Sequence, residues 1–363
     1  LAMGALVGIQ AAQAATGANC TVRSTASNAV CEVVTYGALH RVQSVDPINP
    51  IGGYTEGQMA YLVQGKLYRY DSNGKPRRDL VEKADVSSDG KTITHTLRAA
   101  KYSDGTNIVA ADVVNAFERW VNSKRSASYI DAVDKAVAKD SRTVVWTLKR
   151  PYPDFNFALA QEFLGIHPAS KTDTAEKAKE YFKDPVAGGP MMIKTFTPGT
   201  DSFILVANPN YWAKVAVKQV DFVAIPDPVT RVIALRQGTI DYAFDLPGAI
   251  ARGQLADKNK YRFTPTQAQG TFTLDFNLRA STPGGAKEGS PLANVKVRQA
   301  LSYAANRKQM GQVAFFGDVS PGCSITWANS PLATCAIPTR TKQDLDKAKV
   351  ADISGMIMAE NRW

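Results

Sequence analysis

The sequence lacks any long hydrophobic run: its longest apolar stretch, Leu1 to Ile9, falls far short of the about 20 residues that a membrane-spanning helix needs. Histidine is scarce as well. His40, His95 and His167 are the only three, and none sits near a cysteine in sequence or in an H-E-x-x-H pattern. None of the four cysteines forms C-x-x-C spacing, so no zinc site is expected. There is no G-x-S-x-G elbow and no other nucleophile, acid-base or metal constellation. Gly52-Gly53-Tyr54-Thr55-Glu56-Gly57 has the glycine spacing of a phosphate loop, but Gln58-Met59 follows where Lys and Ser/Thr are required. It reads instead as a turn entering a helix. These absences lead us to expect a chain that is not an enzyme and holds no cofactor and no metal. A continuous basic stripe is also missing: the net charge is +10, but Lys and Arg are scattered, with small clusters only at Lys75-Pro76-Arg77-Arg78 and Lys124-Arg125 beside turn-like residues. No nucleic-acid partner is expected.

What is present has the composition of a soluble protein, 44% hydrophobic and 21% charged over 363 residues, enough apolar material for two globular lobes. Leu1 to Ile9 leads into Ala12-Gln13-Ala14, the small-x-small pattern that signal peptidase cleaves. Residues 1–14 are therefore expected to be the remnant of a signal peptide, with the mature protein starting near Ala15 in the periplasm or outside the cell. Export favours disulfides, and the cysteines form two local pairs, Cys20 with Cys31 and Cys323 with Cys335. Short loops cost least to close, so of the three possible pairings this local one is expected. Thr16-Gly17-Ala18-Asn19 before Cys20 lacks the Leu of a lipobox, which points to a soluble form.

Asn73-Gly74 and Asp89-Gly90 are hairpin dipeptides. Thr92 to Leu97 places Ile93, His95 and Leu97 on one face, and Thr143 to Leu148 does the same with Val144, Trp146 and Leu148. His95 thus points with the apolar set and is expected to be an interior imidazole. Between these strands Asp112 to Val121 carries Val113, Val114, Phe117 and Val121 at helical spacing. Asp227 as N-cap, Pro228 at the first helical position and Gly238 as stop bound a helix with Val232, Ile233 and Leu235 inside. Strands at Val220 to Ile225 and Ile240 to Phe244 flank it, giving a strand-helix-strand unit of a parallel or mixed sheet. Thr271 to Asn277 alternates strictly, and Val295 to Ala314 reads as one amphipathic helix presenting Val297, Leu301, Ala304 and Val313 to a core.

These elements carry motifs in a familiar order. Leu62-Val63-Gln64-Gly65-Lys66-Leu67-Tyr68-Arg69-Tyr70-Asp71 is followed by Leu97-Arg98-Ala99-Ala100-Lys101-Tyr102-Ser103-Asp104-Gly105-Thr106 and Ala111-Asp112-Val113-Val114. Gly188-Gly189-Pro190, Asn208-Pro209-Asn210-Tyr211-Trp212, Thr230-Arg231 through Gly238 to Asp241, Phe276-Asn277 and Val297-Arg298-Gln299-Ala300-Leu301 come next. The series resembles the peptide- and nickel-type solute-binding proteins, the bacterial extracellular solute-binding protein family 5, which includes dipeptide- and oligopeptide-binding receptors. The resemblance implies an α/β fold of the periplasmic-binding-protein type II kind, two lobes with mixed sheets joined by a hinge. Lobe I would have its core at 15–47 and 186–268 and an extra family-specific subdomain at 48–185; 269–363 would be part of lobe II. It implies the substrate-binding component of an ABC importer, a monomer that captures a short peptide and delivers it to permease and ATPase subunits. The same scaffold serves nickel chelates, opines and oligosaccharides, and a secreted hydrolase is the reading from another class. Family members continue beyond Asp346-Lys347-Ala348-Lys349, whereas Val350 to Trp363 no longer resembles them. A C-terminally truncated member with an incomplete second lobe is therefore expected.

Peptide recognition rests mainly on backbone hydrogen bonds, so the candidates that the resemblance implies are loops. They are Asn49, Gly53 and Tyr54 after the first strand; Gly188, Gly189 and Pro190 at a lobe junction; Asp245, Leu246 and Pro247 at the end of a core strand; and Phe272 and Asn277 on a crossing strand. Tyr54 is a candidate to stack on ligand or simply a half-buried tyrosine. Asp245 is a candidate partner for a cationic group or a cap for the following helix. Asn208 to Trp212 reads as a packing turn.

Overall fold

Tight turns and alternating strands build most of the chain's ordered framework. A computed structural model describes residues 20–21, 30–48, 53–71, 74–123, 126–246, 248–257, 260–261, 277–278 and 291–314. The expected signal remnant, Asn49, Pro247, Phe272, Cys323, Cys335 and most of the Thr271 to Asn277 strand lie outside these residues. Contacts divide the chain into two units, Leu1–Leu246 with Gln254–Phe263, and Pro247–Gly253 with Thr264–Trp363.

The first unit opens with β1 (Cys20–Thr21) and β2 (Val30–Ala38), an antiparallel pair whose register sets Cys20 opposite Cys31. Helix α1 (Tyr54–Val63) follows. Then come β3 (Tyr68–Tyr70) and β4 (Pro76–Arg78), a two-stranded hairpin, and β5 (Val81–Val86) and β6 (Thr92–Leu97). The turn between β5 and β6 closes with Gly90 at φ 68°, its N–H donating to the Ser87 carbonyl. After α2 (Ala110–Val121), strands β7 (Val133–Ala138) and β8 (Thr143–Leu148) complete a four-stranded antiparallel sheet in the order β5-β6-β8-β7. Short helices α3 (Phe155–Leu159), α4 (Ala169–Thr172) and α5 (Ala175–Tyr181) lead to β9 (Met191–Thr195), β10 (Ser202–Ala207) and β11 (Val217–Ala224). Helix α6 (Pro228–Gln237) and β12 (Tyr242–Ala243) close the unit's sheet. This six-stranded mixed sheet runs β1-β2-β11-β10-β9, and β12 pairs with β2. β11 and β12 both run parallel to β2, on its two sides. β1 and β12 therefore share one edge of β2, β1 at Val30 and Cys31, β12 at Tyr36 and Gly37. In the gap between them Thr35 donates its N–H to Asp241 Oδ2 at 2.8 Å and accepts from the Asp241 N–H at 2.8 Å.

Each sheet has its own apolar core. The core of the four-stranded sheet gathers Ile93, Leu97, Val113, Phe117, Trp120, Val144, Trp146, Leu148 and Phe155, and that of the six-stranded sheet gathers Val34, Tyr36, Met59, Leu205, Val220 and Phe222. Burying side chains of this size stabilises by about 1.5–3 kcal/mol each. The alternation expected for β6 and β8 is observed: Ile93, His95, Leu97, Val144, Trp146 and Leu148 are all buried. The stripe on α2 differs from expectation. Ala110, Val113, Ala116, Phe117 and Trp120 face inward while Val121 is 41% exposed, because Trp120 takes the interior position and its Nε1 donates to the Gly165 carbonyl at 3.3 Å.

The punctuation of α6 is as expected. Asp227 Oδ1 accepts from Thr230 N–H at 2.7 Å, Pro228 occupies the first turn and Gly238 stops the helix at φ 73°. Its buried face, however, is Arg231, Val232 and Ala234, with Ile233 43% exposed. In the second unit the expected single helix from Val295 to Ala314 is two, α8 (Val295–Ala304) and α9 (Arg307–Ala314), numbered after α7 (Gly248–Gln254). Asn306 breaks it: its Oδ1 accepts from Gln309 N–H at 3.1 Å and so caps a new helix. Val313, expected inside, is 72% exposed.

A charged node ties the hairpin of β3 and β4 to the turn after β10. The Asp79 carboxylate, 2% exposed, accepts from Arg69 Nε at 2.5 Å, Tyr211 OH at 2.7 Å and Trp212 Nε1 at 2.6 Å. Arg69 also donates to the carbonyls of Tyr61 and Gln64 at the end of α1, and the Arg98 guanidinium lies 3.6 Å from the centre of the Trp212 ring. Lys66, fully buried, donates its Nζ to the carbonyls of Gln161 and Leu164.

His95 sits among Tyr68, Trp146 and Phe155; its Nδ1 accepts from Trp146 Nε1 at 3.0 Å and its Nε2 meets Tyr68 OH at 3.3 Å. Burial, helped by the Arg78 charge, lowers its pKa from 6.5 to about 4. Burial also lowers that of His167. Between pH 6.5 and 4 the unfolded chain binds a proton at position 95 that the folded chain refuses, so this stability is present above pH 6.5 and is lost as pH falls. The complete loss for His95 is about 3 kcal/mol. Urea unfolding at pH 7 and pH 5 is expected to show the parent losing about 2 kcal/mol more between the two than the His95→Gln variant does; equal losses would refute this account.

Candidate functional site

In open α/β sheets ligands are taken up outside the carboxyl ends of parallel strands, where loops rather than ladders decide what the backbone donors face. Here three such ends lie side by side: Ala224 of β11 pairs with Ala38 of β2, and Ala243 of β12 pairs with Gly37. The pairing extends one residue further on each side, with Ile225 N–H donating to the Ala38 carbonyl at 2.9 Å and Phe244 N–H to the Gly37 carbonyl at 3.2 Å. Tyr36, buried beneath this edge, stacks on Tyr242 with ring centres 4.9 Å apart and contacts Phe222 at 4.7 Å. The described segments that leave the edge are 39–48, 225–227 and 244–246.

The first loop is anchored by Glu56. Its Oε2 accepts from Gly53 N–H at 2.7 Å and its Oε1 from Gln43 N–H at 3.2 Å, while Thr55 Oγ1 accepts from His40 N–H at 3.2 Å. Glu56 is three residues past the N-cap, the position from which a glutamate reaches back to the cap backbone, and the same carboxylate lies in the favourable field of the helix N-terminus. Gly53 to Gly57 is thus a helix entry, in keeping with the lack of phosphate-loop residues. The His40 ring lies against Gly53, where a methyl group would stand 2.9 Å from Cδ2. Tyr54, the first residue of α1, is 70% exposed.

The third loop contains Asp245, which is exposed and holds φ 53°, the left-handed region that aspartate enters more readily than most residues. Its carbonyl accepts from Arg231 Nη2 at 2.9 Å, and Arg231 Nη1 donates to the carbonyls of Ile225 and Pro226. Leu246 beside it is half-buried. Asp245 and Leu246 thus stand on a loop leaving the parallel carboxyl edge, while Gly53 caps and Tyr54 begins α1.

Gly188, Gly189 and Pro190 are placed elsewhere. Both glycines are buried, and Gly189 N–H donates to the Val63 carbonyl at 2.9 Å. A methyl group on Gly189 would come within 2.4 Å of the Leu62 carbonyl oxygen, and one on Gly188 within 2.9 Å of the Gly65 nitrogen. Close approach to the chain leaving α1 accounts for both glycines. Pro190 is half-buried, and its carbonyl accepts from Asn208 N–H at 2.9 Å. Asn208 returns the favour by donating Nδ2 to the Gly189 carbonyl at 2.9 Å, so Asn208 to Trp212 is the packing turn expected of it. Asn277 is exposed, in the second unit. Sequence reasoning passed over Glu56 and Arg231. The Glu at the third helical position was a legible signal for the first; the fit of Arg231 to loop carbonyls was not.

A mixed sheet with parallel strands at its centre and an antiparallel sheet inserted after its first strands defines the class. The fold is that of the type II periplasmic binding proteins. Haemophilus influenzae OppA in complex with RPPGFSPFR superposes with a TM-score of 0.74 at 22% identity, covering 90% of this chain and 66% of that one. Residues 75–351 match the model of the bacterial extracellular solute-binding proteins, family 5 Middle, and the chain belongs to this family. It is 28% identical over 332 residues to the dipeptide-binding protein of Lactococcus lactis subsp. cremoris, covering 79% of this chain and 59% of that protein. It is also 28% identical over 325 residues to the nickel-binding periplasmic protein of Escherichia coli, covering 84% and 59%. The chain thus spans about three-fifths of the length of these relatives.

The glycine pair gives a direct test. Gly189→Ala is expected to destabilise by more than about 2 kcal/mol, since overpacking against backbone cannot relax by a side-chain movement. Gly253→Ala, which meets nothing within 4 Å, is expected to change stability little. Equal denaturation midpoints for the two variants would show that the approach at Gly189 is not tight.

Proposed function

We propose that the chain is the substrate-binding component of a peptide-type ABC importer, capturing short peptides outside the cytoplasmic membrane and delivering them to permease and ATPase subunits as a monomer. The observation that carries this reading is the family match over residues 75–351, joined to a fold shared with a receptor solved around a peptide. The parallel carboxyl edge supports it, because loops leaving such an edge are where solutes are taken up, and backbone groups hold peptides without regard to side chain. On this reading the chain binds its solute unchanged and is not an enzyme. Lobe I consists of the core at 15–47 and 186–268 with the extra subdomain at 48–185, and 269–363 belongs to lobe II. The protein works in the periplasm or outside the cell, where a Cys20–Cys31 disulfide is stable. The β1-β2 register supports that bond, since directly opposed antiparallel residues have Cα atoms about 4.5–5.5 Å apart, within disulfide range.

A nickel chelate is the second reading, favoured by the similarity to the Escherichia coli protein. Isothermal titration with a panel of di- to pentapeptides, nickel chelates, opines and oligosaccharides separates the two. Saturable heat with peptides alone is expected. Response to a chelate alone would move the assignment to the second reading, and silence across the panel would sink both.

A further inference from the structure

Arg231 is 1% exposed, yet among the described residues its guanidinium meets no carboxylate at hydrogen-bond distance; it spends its Nη nitrogens on main-chain carbonyls. Nη1 donates to Ile225 and Pro226, which leave β11, and Nη2 donates to Asp245, which leaves β12. These strands flank β2, so one side chain joins the two loops across the central strand of the carboxyl edge. A planar guanidinium is suited to this, because its fixed fork holds several acceptors in one geometry where an ammonium would hold them loosely. Burial lowers the Arg231 pKa, and the nearby Asp245 and Asp227 charges oppose that shift. Asp245 at φ 53° is the one non-glycine residue with positive φ among the described residues, and its carbonyl is the one that Arg231 holds. A backbone in that region persists only where its surroundings determine it. The helix supports this too: α6 turns Arg231 inward and leaves Ile233 outside.

We propose that Arg231 is a positioning residue for solute capture, tying the loops 225–227 and 244–246 together so that the turn at Asp245 is ordered before solute arrives. This rests on the receptor reading, with the turn at Asp245 facing the solute. Preorganisation of this kind lowers the ordering cost of binding without a contact to the ligand.

Hydrogen exchange and titration on the whole chain test it together. Arg231→Met keeps an unbranched stem and removes every donor. In this variant, exchange of peptides covering 241–246 is expected to quicken about tenfold, with that of 92–97 unchanged, and the dissociation constant for the tightest peptide to rise about tenfold or more. Arg231→Lys, which retains one donor group, is expected to recover part of both, and serves alone if the Met variant does not fold. Unchanged exchange at 241–246, or equal quickening at 92–97, overturns the tie. Quickened exchange with an unchanged dissociation constant overturns the positioning role. If the parent binds no member of the panel, the receptor reading fails and the role fails with it, while the exchange result still shows whether the tie exists.

Discussion

The buried Asp79 carboxylate is the constraint on which the rest of the first unit depends. A carboxylate at 2% exposure is sustained only by full hydrogen bonding and a paired charge, and Arg69, Tyr211 and Trp212 supply both. These partners come from two distant stretches of chain, and Arg69 adds the last carbonyls of α1. One ionised group thereby holds the β3-β4 hairpin, the end of α1 and the turn after β10 in register. Removing such a partner costs about 3–5 kcal/mol because the remaining charge is left buried. The close fit of Gly188 and Gly189 on the same stretch after α1 depends on that registration.

The six-stranded sheet brings its parallel ends together at one edge. β2 lies at the centre, flanked at its carboxyl end by β11 and β12, and two charged side chains fix the departing loops. Glu56 fixes the first loop through backbone N–H groups, and Arg231 fixes the other two through backbone carbonyls. The two charges are opposite, as the groups they satisfy require.

Much of this was legible in the sequence, for reasons that differ by element. The alternation in Thr92 to Leu97 and Thr143 to Leu148 exposed the buried faces of β6 and β8, including His95, because strand periodicity leaves only two faces to choose between. The caps of α6 were readable because Asp, Pro and Gly each have a backbone reason for their place. Helix faces were harder. Val121 and Ile233 satisfy the spacing rule, yet Trp120 and Arg231 claimed the interior through hydrogen bonds to carbonyls that no local pattern announces. The break at Asn306 shows the same limit, since apolar residues kept helical spacing across a residue that caps a new helix. Among the candidate residues, Asp245 and Leu246 stand just past a strand end, and Gly53 and Tyr54 at a helix entry that turn chemistry marks. The packing at Gly188 and Gly189 was not legible, because a glycine needed for close packing looks the same in sequence as one needed near a ligand.

The arrangement along the free side of β2 has a consequence for solubility. An unpaired strand margin is a template on which a foreign chain adds itself. β1 and β12 are each two residues long, too short to cover that margin alone. Asp241 fills the gap, its carboxylate taking the Thr35 N–H and its own N–H meeting the Thr35 carbonyl. A single acidic residue acts as a counterfeit strand there, and it denies an aggregating neighbour the place where it would have started.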